Sequence, residues 1–259
     1  MKCLILAAGY ATRLYPLTEN FPKPLLDVGG KPILDWLIED MAQTGLVDEY
    51  VVISNHKFAH IFEEWANGST ESAIGKQQPS WKQRIRVVDD GTSTNETRLG
   101  AVRDIQFAIE QLQLDDDMLV MAGDNLLDFS LAGFIHYAQG KKASCVMRYY
   151  EADETKLRRS GVAEVDADGR ILSMEEKPAQ PKSHWCMPAF YYYTRHDSHL
   201  IPAAIEAGCG TDAPGSFISW LCKQTHVYAW EMPGKRFDIG NLESYEKVKR
   251  ELVISRISS

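Results

Sequence analysis

Long apolar runs are missing from this sequence: no stretch of its 259 residues approaches the roughly 18 that a bilayer-crossing helix needs. A membrane-spanning chain is thereby not expected. Paired cysteines are missing as well. The five present, Cys3, Cys145, Cys186, Cys209 and Cys222, are odd in number and have no CxxC spacing. That usage excludes a disulfide framework or a zinc ribbon and fits a reducing, cytoplasmic setting. An excess of basic charge is absent too: 28 Lys and Arg stand against 36 Asp and Glu, a formal net charge of −8. Such a chain lacks the broad positive footprint of a nucleic-acid binder, so any polyanionic ligand must be held by a few local cations. There is no internal repeat, and without hexapeptide repeats no appended β-helix is expected. The opening Met1-Lys2-Cys3-Leu4-Ile5-Leu6-Ala7-Ala8 looks superficially like a signal peptide, but its apolar run breaks at Gly9 and meets Thr12 and Arg13. It reads as a buried strand.

What is present is an ordinary globular composition, 44% apolar and 25% charged. Cys3 to Ala7 is a short apolar run of the kind found in a central parallel strand. Lys31 to Thr44 carries helical spacing through Ile33, Leu34, Leu37, Ile38 and Met41. Strands are predicted at Glu49–Ser54, Ile85–Val88 and Met118–Ala122, with helices at Phe58–Trp65 and Leu99–Leu112. The polar tract Asn67–Gln83 reads as an exposed excursion. This alternation predicts an α/β fold: a doubly wound, mostly parallel sheet. The later part is richer in strands, at Ser144–Tyr150, Val162–Val165, Ile171–Glu175, His184–Tyr193 and His226–Glu231. Asp166-Ala167-Asp168-Gly169 signals a hairpin between two of them. Helices fit His199–Ala207, Ser216–Lys223 and Leu242–Leu252. With no linker visible, one domain over 1–259 is expected. Residues 1–140 would form a nucleotide-binding half and 141–259 a β-rich, substrate-facing half.

The chemistry-bearing segment is Leu6-Ala7-Ala8-Gly9-Tyr10-Ala11-Thr12-Arg13-Leu14, followed by Pro22-Lys23-Pro24-Leu25. A small-residue loop leaving a strand lets backbone N–H groups approach phosphate oxygens, and Arg13 and Lys23 add fixed positive charge. The loop is neither GxGxxG opening directly into a helix nor a GK[ST] P-loop, and as bare pattern it is also an ordinary strand-to-helix turn.

The whole stretch AAGYATRLYPLTENFPKPLLDVGGKPIL resembles the opening of the sugar-1-phosphate nucleotidyltransferases, the thymidylyl-, uridylyl- and guanylyltransferase group. Further segments extend the resemblance: Arg98-Leu99-Gly100-Ala101, Gly123-Asp124-Asn125, Gly161-Val162-Ala163-Glu164 with Glu175-Glu176-Lys177-Pro178, and Phe237-Asp238-Ile239-Gly240-Asn241. The resemblance implies a nucleotide-diphospho-sugar transferase-like, Rossmann-like fold and transfer of a nucleoside monophosphate from a nucleoside triphosphate to a sugar 1-phosphate. It implies nucleotide contacts from Ala8, Gly9, Arg13, Lys23 and Gly100, with Arg13 and Lys23 catalytic. Gly161, Glu176 and Lys177 would bind the sugar phosphate, and Asp124 and Asp238 would hold Mg²⁺. The chemistry suits these residue types, since a dianionic nucleophile must approach an anionic α-phosphate and repulsion is the obstacle. Association with further copies of the chain is left open. Two other readings share parts of the pattern. One is a cytidylyltransferase for an alditol phosphate or phosphocholine; the other is a regulatory subunit that binds nucleotide sugars without turnover.

The chain departs from the pattern at several points. Ala11 stands where glycine is usual, Ser160 where tyrosine is common and Arg236 where tryptophan is common. Asp89 to Thr97, DDGTSTNET, does not match the thymidylyltransferase base loop, so nucleobase and sugar stay unassigned. His56 with His60, and His196 with His199, lack a third metal ligand. Tyr191-Tyr192-Tyr193 reads first as strand filler and second as a sugar platform. Asp115-Asp116-Asp117 reads as a helix-to-strand turn.

Overall fold

The computed structural model describes residues 1–68 and 78–257. The middle of the predicted excursion, residues 69–77, lies outside them. The fold is α/β with a mixed sheet, and the chain forms two compact units. One holds Met1–Leu4, Leu99–Met121 and Leu131–Pro233; the other holds Ile5–Arg98, Ala122–Ser130 and Gly234–Ser259.

In the unit that begins at Ile5, strands Glu49–Ser54 and Ile85–Asp89 pair in parallel from Tyr50↔Ile85 to Ser54↔Asp89. The Ala7 N–H donates to Ile53 O at 2.9 Å, and the Gly123 N–H donates to Leu6 O at 3.1 Å. The fully buried run Tyr50-Val51-Val52-Ile53 explains the continuous apolar pattern, because both faces of such a strand are covered. Helix Ile33–Thr44 buries Ile33, Leu34, Leu37, Ile38 and Met41 and stops at Gly45 with φ 68°, the left-handed C-terminal position glycine favours. Each such side chain contributes about 1.5–3 kcal/mol of burial.

A separate two-stranded ribbon, Asn125–Leu127 against Arg236–Asp238, runs antiparallel with Asp238 opposite Asn125. Asp128 closes it, its Oδ1 accepting the Lys235 N–H at 2.6 Å. Leu126, Ile239, Tyr245 and Val248 seat the ribbon and the C-terminal helix in one core cluster with Leu14, Leu26, Val28 and Ile33.

The other unit carries the antiparallel part of the fold, in the order Ile171–Glu176, Gly161–Val165, Trp185–Met187, Cys145–Tyr150, Phe190–Tyr193, Met118–Ala122. Tyr228–Glu231 pairs with Cys145–Tyr150 in parallel. The predicted hairpin is present: the Gly169 N–H donates to Asp166 O at 3.1 Å and Gly169 takes φ 84°. The single strand expected at His184–Tyr193 is two strands, because Pro188 offers no N–H to a ladder and the Phe190 N–H turns back to Pro188 O. The helix expected at His199–Ala207 is present as Ile201–Glu206 with Pro202 in its first turn, and a short helix not expected, Arg195–Ser198 capped by Thr194, precedes it. Helix Ala132–Lys141 was not expected, since Gly133 and Gly140 dilute its pattern. Tyr191, Tyr192 and Tyr193 are all buried, with Tyr191 and Tyr193 stacked at 5.8 Å, so they fill the strand layer.

Candidate active site

The small-residue loop is fixed from beneath by a residue the sequence reading passed over. Asn55, with no exposed surface, sits between strand Glu49–Ser54 and helix His56–Ala66. Its Nδ2 donates to Ala8 O at 2.9 Å, while its Oδ1 accepts the Phe58 N–H at 3.1 Å as the helix N-cap. One side chain therefore ties the loop to the helix start. The Tyr10 hydroxyl donates to Thr92 O at 3.2 Å, and Thr92 O also accepts the His56 N–H. Gly9 is exposed, and apart from its chain neighbours no atom of the described residues lies within 4 Å of where its Cβ would be. Its backbone is open to close approach.

Ala11 takes φ 47° and ψ 40°, the left-handed region, so the methyl group is held there at a cost of roughly 1–2 kcal/mol. Two bonds hold its carbonyl: the buried Thr18 donates from Oγ1 at 2.8 Å and the Leu14 N–H at 2.9 Å. This turn leads into the short 3₁₀ helix Thr12–Leu14, which presents Arg13 to solvent. Among the described residues, Arg13 pairs with no carboxylate.

Lys23 behaves oppositely. It begins the 3₁₀ helix Lys23–Leu25 and is buried, and its Nζ lies 2.6 Å from Asp124 Oδ2. Gly123 makes room for this approach, since a Cβ there would stand 3.1 Å from Ile5 and 3.3 Å from Pro24. The other Asp124 oxygen, Oδ1, accepts from Asn125 Nδ2 at 2.7 Å. The Asn125 oxygen in turn accepts from Arg236 Nη1 at 2.6 Å, and that nitrogen is 3.7 Å from Asp238 Oδ2. The Ile239 N–H donates to Asp124 O at 3.3 Å. Lys23, Asp124 and Asp238, separated by up to 215 positions in the chain (238 − 23), thus belong to one polar network. Asp238 reaches it from the two-stranded ribbon, a pairing the sequence did not announce. Three-residue strands leave too little pattern to read.

The remaining expected residues lie in the other unit. Gly100 has φ 91° at the start of helix Ala101–Leu112, and a Cβ there would stand 2.6 Å from Thr211 O. Thr211 and Asp212 carbonyls take up the Val102 and Ala101 N–H groups. In this conformation those amides are committed to the loop.

Gly161 pairs with Glu176 across strands Gly161–Val165 and Ile171–Glu176. The Glu176 carboxylate lies over the Cα positions of Gly161 and Gly215, where a side chain on either would collide with it. Burial pushes the Glu176 carboxyl up, and Lys177 partly offsets this. Lys177 itself is exposed at φ 50°, immediately before Pro178, with its N–H donating to Ser160 O at 3.0 Å. A non-glycine residue left-handed before proline is strained, and such positions concentrate at functional sites.

The histidines have other partners: His56 Nδ1 lies 2.6 Å from Asp89 Oδ2, and His199 Nε2 lies 2.9 Å from Asp115 Oδ1. The Asp115–Asp117 turn also binds Arg195, the Met1 amine and the Tyr192 hydroxyl.

Comparison with known proteins gives the family. A model for the family described as nucleotidyl transferase matches residues 2–253. The UTP–glucose-1-phosphate uridylyltransferase of Haloferax volcanii is 26% identical over 256 residues, covering 97% of this chain and 96% of that protein. The glucose-1-phosphate adenylyltransferase of Fervidobacterium nodosum is 26% identical over 258 residues, 96% of this chain, which spans 60% of that longer protein. Solved structures of UDP-glucose pyrophosphorylase, apo and complexed with UDP-glucose, align with TM-scores of 0.82 and 0.80. Both are 21% identical over 98% of each chain, a likeness of fold. With the family model covering nearly its whole length, this chain belongs to the nucleotidyl transferase family.

Proposed function

We propose that this nucleotidyl transferase uses a sugar 1-phosphate as acceptor, releasing a nucleoside diphosphate sugar and pyrophosphate. The observation that carries the reading is the Lys23–Asp124–Asp238 network, together with the Ala8–Ala11 loop pinned by Asn55 and Thr18. The reaction needs cations where three anionic groups meet. A sugar-phosphate oxygen attacks the α-phosphorus, the bond from that phosphorus to the bridging oxygen of the β-phosphate breaks, and pyrophosphate leaves with the electron pair. Little proton transfer is required, so positioning and charge neutralisation do most of the catalysis.

Arg13, exposed and without a carboxylate partner among the described residues, holds the triphosphate and the departing pyrophosphate in this reading, with Ala8 and Gly9 lending backbone. Lys23, whose amine already neutralises one carboxylate, is the group to stabilise the α-phosphate as charge builds. Gly100 belongs to the nucleotide contacts in this reading. Glu176 and the Gly161 backbone hold the sugar, and the strained, exposed Lys177 takes its phosphate.

The donors fit Mg²⁺. Asp124 and Asp238 offer hard oxygen ligands, one or two of which are what this ion takes from a protein before substrate phosphates complete its shell. The Lys23 amine on Asp124 Oδ2 marks that oxygen as a place for positive charge. When bound there, the ion supplies neutralisation of the phosphates. No helix among the described residues is long and apolar enough to cross a membrane, and a cytoplasmic location is part of the proposal.

The test is a matrix of dTTP, UTP, CTP, GTP and ATP against several sugar 1-phosphates and alditol phosphates, scored by pyrophosphate release. Release with a sugar 1-phosphate and one or two nucleotides is expected. Release only with an alditol phosphate or phosphocholine, or with no pair at all, would contradict the proposal.

A further inference from the structure

Arg236 occupies an unusual place in the network. It lies two residues before Asp238 on a strand, so the two side chains share a face. A guanidinium has only donors, and therefore the Asn125 atom at 2.6 Å from Nη1 must be the amide oxygen. That choice turns the Asn125 nitrogen toward Asp124, which it reaches at 2.7 Å. Asn125 is 2% exposed, so water offers little support for the reversed amide. With Lys23 on the second Asp124 oxygen, both oxygens of that carboxylate are engaged. Asp238 has Arg236 beside it at 3.7 Å, and the Arg236 side chain is 18% exposed against 52% for Asp238. The cation is thus the better anchored partner. Neither the contact to Asn125 nor the one to Asp238 depends on nucleotide.

We infer that Arg236 is a resident counter-cation of this centre, compensating Asp238 and thereby setting how tightly the nucleotide-free protein takes up a divalent ion. The inference rests on the reading of Asp124 and Asp238 as the metal carboxylates. Arg236 is a positioning residue here: it acts through Asp238 and Asn125. Its charge keeps the two carboxylates from forming a strong cation trap on their own. Divalent uptake then depends on the additional oxygens that a triphosphate brings, which couples metal loading to nucleotide binding.

The experiment is Mn²⁺ titration of the nucleotide-free protein followed by electron paramagnetic resonance, comparing the unmodified chain with Arg236→Gln, Arg236→Lys and Asp238→Asn. Glutamine can still donate to the Asn125 oxygen, so it removes the charge while keeping a hydrogen bond. The expected result is Mn²⁺ affinity about fivefold higher in Arg236→Gln, the Boltzmann factor of a unit-charge contact near 4 Å in water. Arg236→Lys should stay close to the unmodified protein, and Asp238→Asn should lose affinity. If Asp238→Asn loses affinity but Arg236→Gln binds no more tightly than the unmodified chain, the role given to Arg236 is wrong while the metal reading stands. Unchanged binding in Asp238→Asn would overturn both. A circular dichroism melt of each variant identifies any that fails to fold, and Arg236→Met, which also lacks the charge, reads the same gain in affinity if Arg236→Gln is the one that does.

Discussion

Replacing Asn55 by alanine tests the part of the site that no motif announced. The substitution removes the N-cap acceptor of helix His56–Ala66, a loss of about 1 kcal/mol. It also leaves the Ala8 carbonyl, in a residue only 7% exposed, without its donor, which costs about 1–3 kcal/mol. Together these predict a loss of about 2–4 kcal/mol from a total stability of about 5–15 kcal/mol, so the variant should still fold. Asn55→Asp separates the two contributions: the carboxylate can still cap the helix, but it cannot donate to Ala8 and sets negative charge against that carbonyl. It should therefore be destabilised despite keeping the cap, and more so at neutral than at acid pH. Equilibrium urea unfolding with the slope held common reads all three proteins. Because Ala8 belongs to the proposed phosphate loop, KM for the nucleoside triphosphate should rise in the alanine variant while KM for the acceptor changes little. A stability loss under about 1 kcal/mol with an unaltered nucleotide KM would refute the reasoning, since a released buried carbonyl cannot be that cheap.

Three further outcomes follow from the same geometry. Ala11→Gly relieves about 1–2 kcal/mol of left-handed strain against about 0.5–1 kcal/mol of added chain entropy, so a melt should show unchanged to slightly raised Tm, and a clear drop would contradict the φ of 47°. Burial raises the Glu176 carboxyl, so the folded chain keeps that proton to higher pH than the unfolded chain, and stability falls as pH rises from about 4.3 through the raised value. Glu176→Gln should accordingly gain stability relative to the parent at pH 7 compared with pH 4 in urea titrations; equal differences at both pH values would remove the effect. Lys177→Ala should weaken sugar-phosphate binding measured by calorimetry while triphosphate affinity stays near normal, and an equal loss for both ligands would reassign the residue.

The long amphipathic and buried elements were legible in the sequence because their apolar spacing is imposed by burial. Helix Ile33–Thr44 buries the five residues that announced it, and the strand around Tyr50–Ile53 is buried throughout. The Asp166–Gly169 hairpin was legible from turn chemistry. Shorter pieces were not. Asn125–Leu127 and Arg236–Asp238 carry three residues each, below the length at which alternation shows, and their pairing joins positions over a hundred residues apart. Lys23 and Asp124 were each named on motif resemblance, but their contact at 2.6 Å was not expected. Asn55 was invisible because a lone asparagine before a helix reads only as a cap, while its second bond, to Ala8, is tertiary. Arg236 was legible only as a departure; its bond to Asn125 gives that departure a physical content.

In the proposed reaction the nucleotide's α-phosphorus ends on the sugar phosphate. It is read most directly by a single turnover with nucleoside triphosphate labelled at the α- or γ-phosphorus, in the presence of sugar 1-phosphate and Mg²⁺. The α-label is expected in a nucleoside diphosphate sugar and the γ-label in pyrophosphate. Both transfers should slow on the order of 10²-fold in Lys23→Ala, the cost of removing one preorganised charge. Appearance of the γ-label as orthophosphate, or of the α-label in free nucleoside monophosphate, would contradict it.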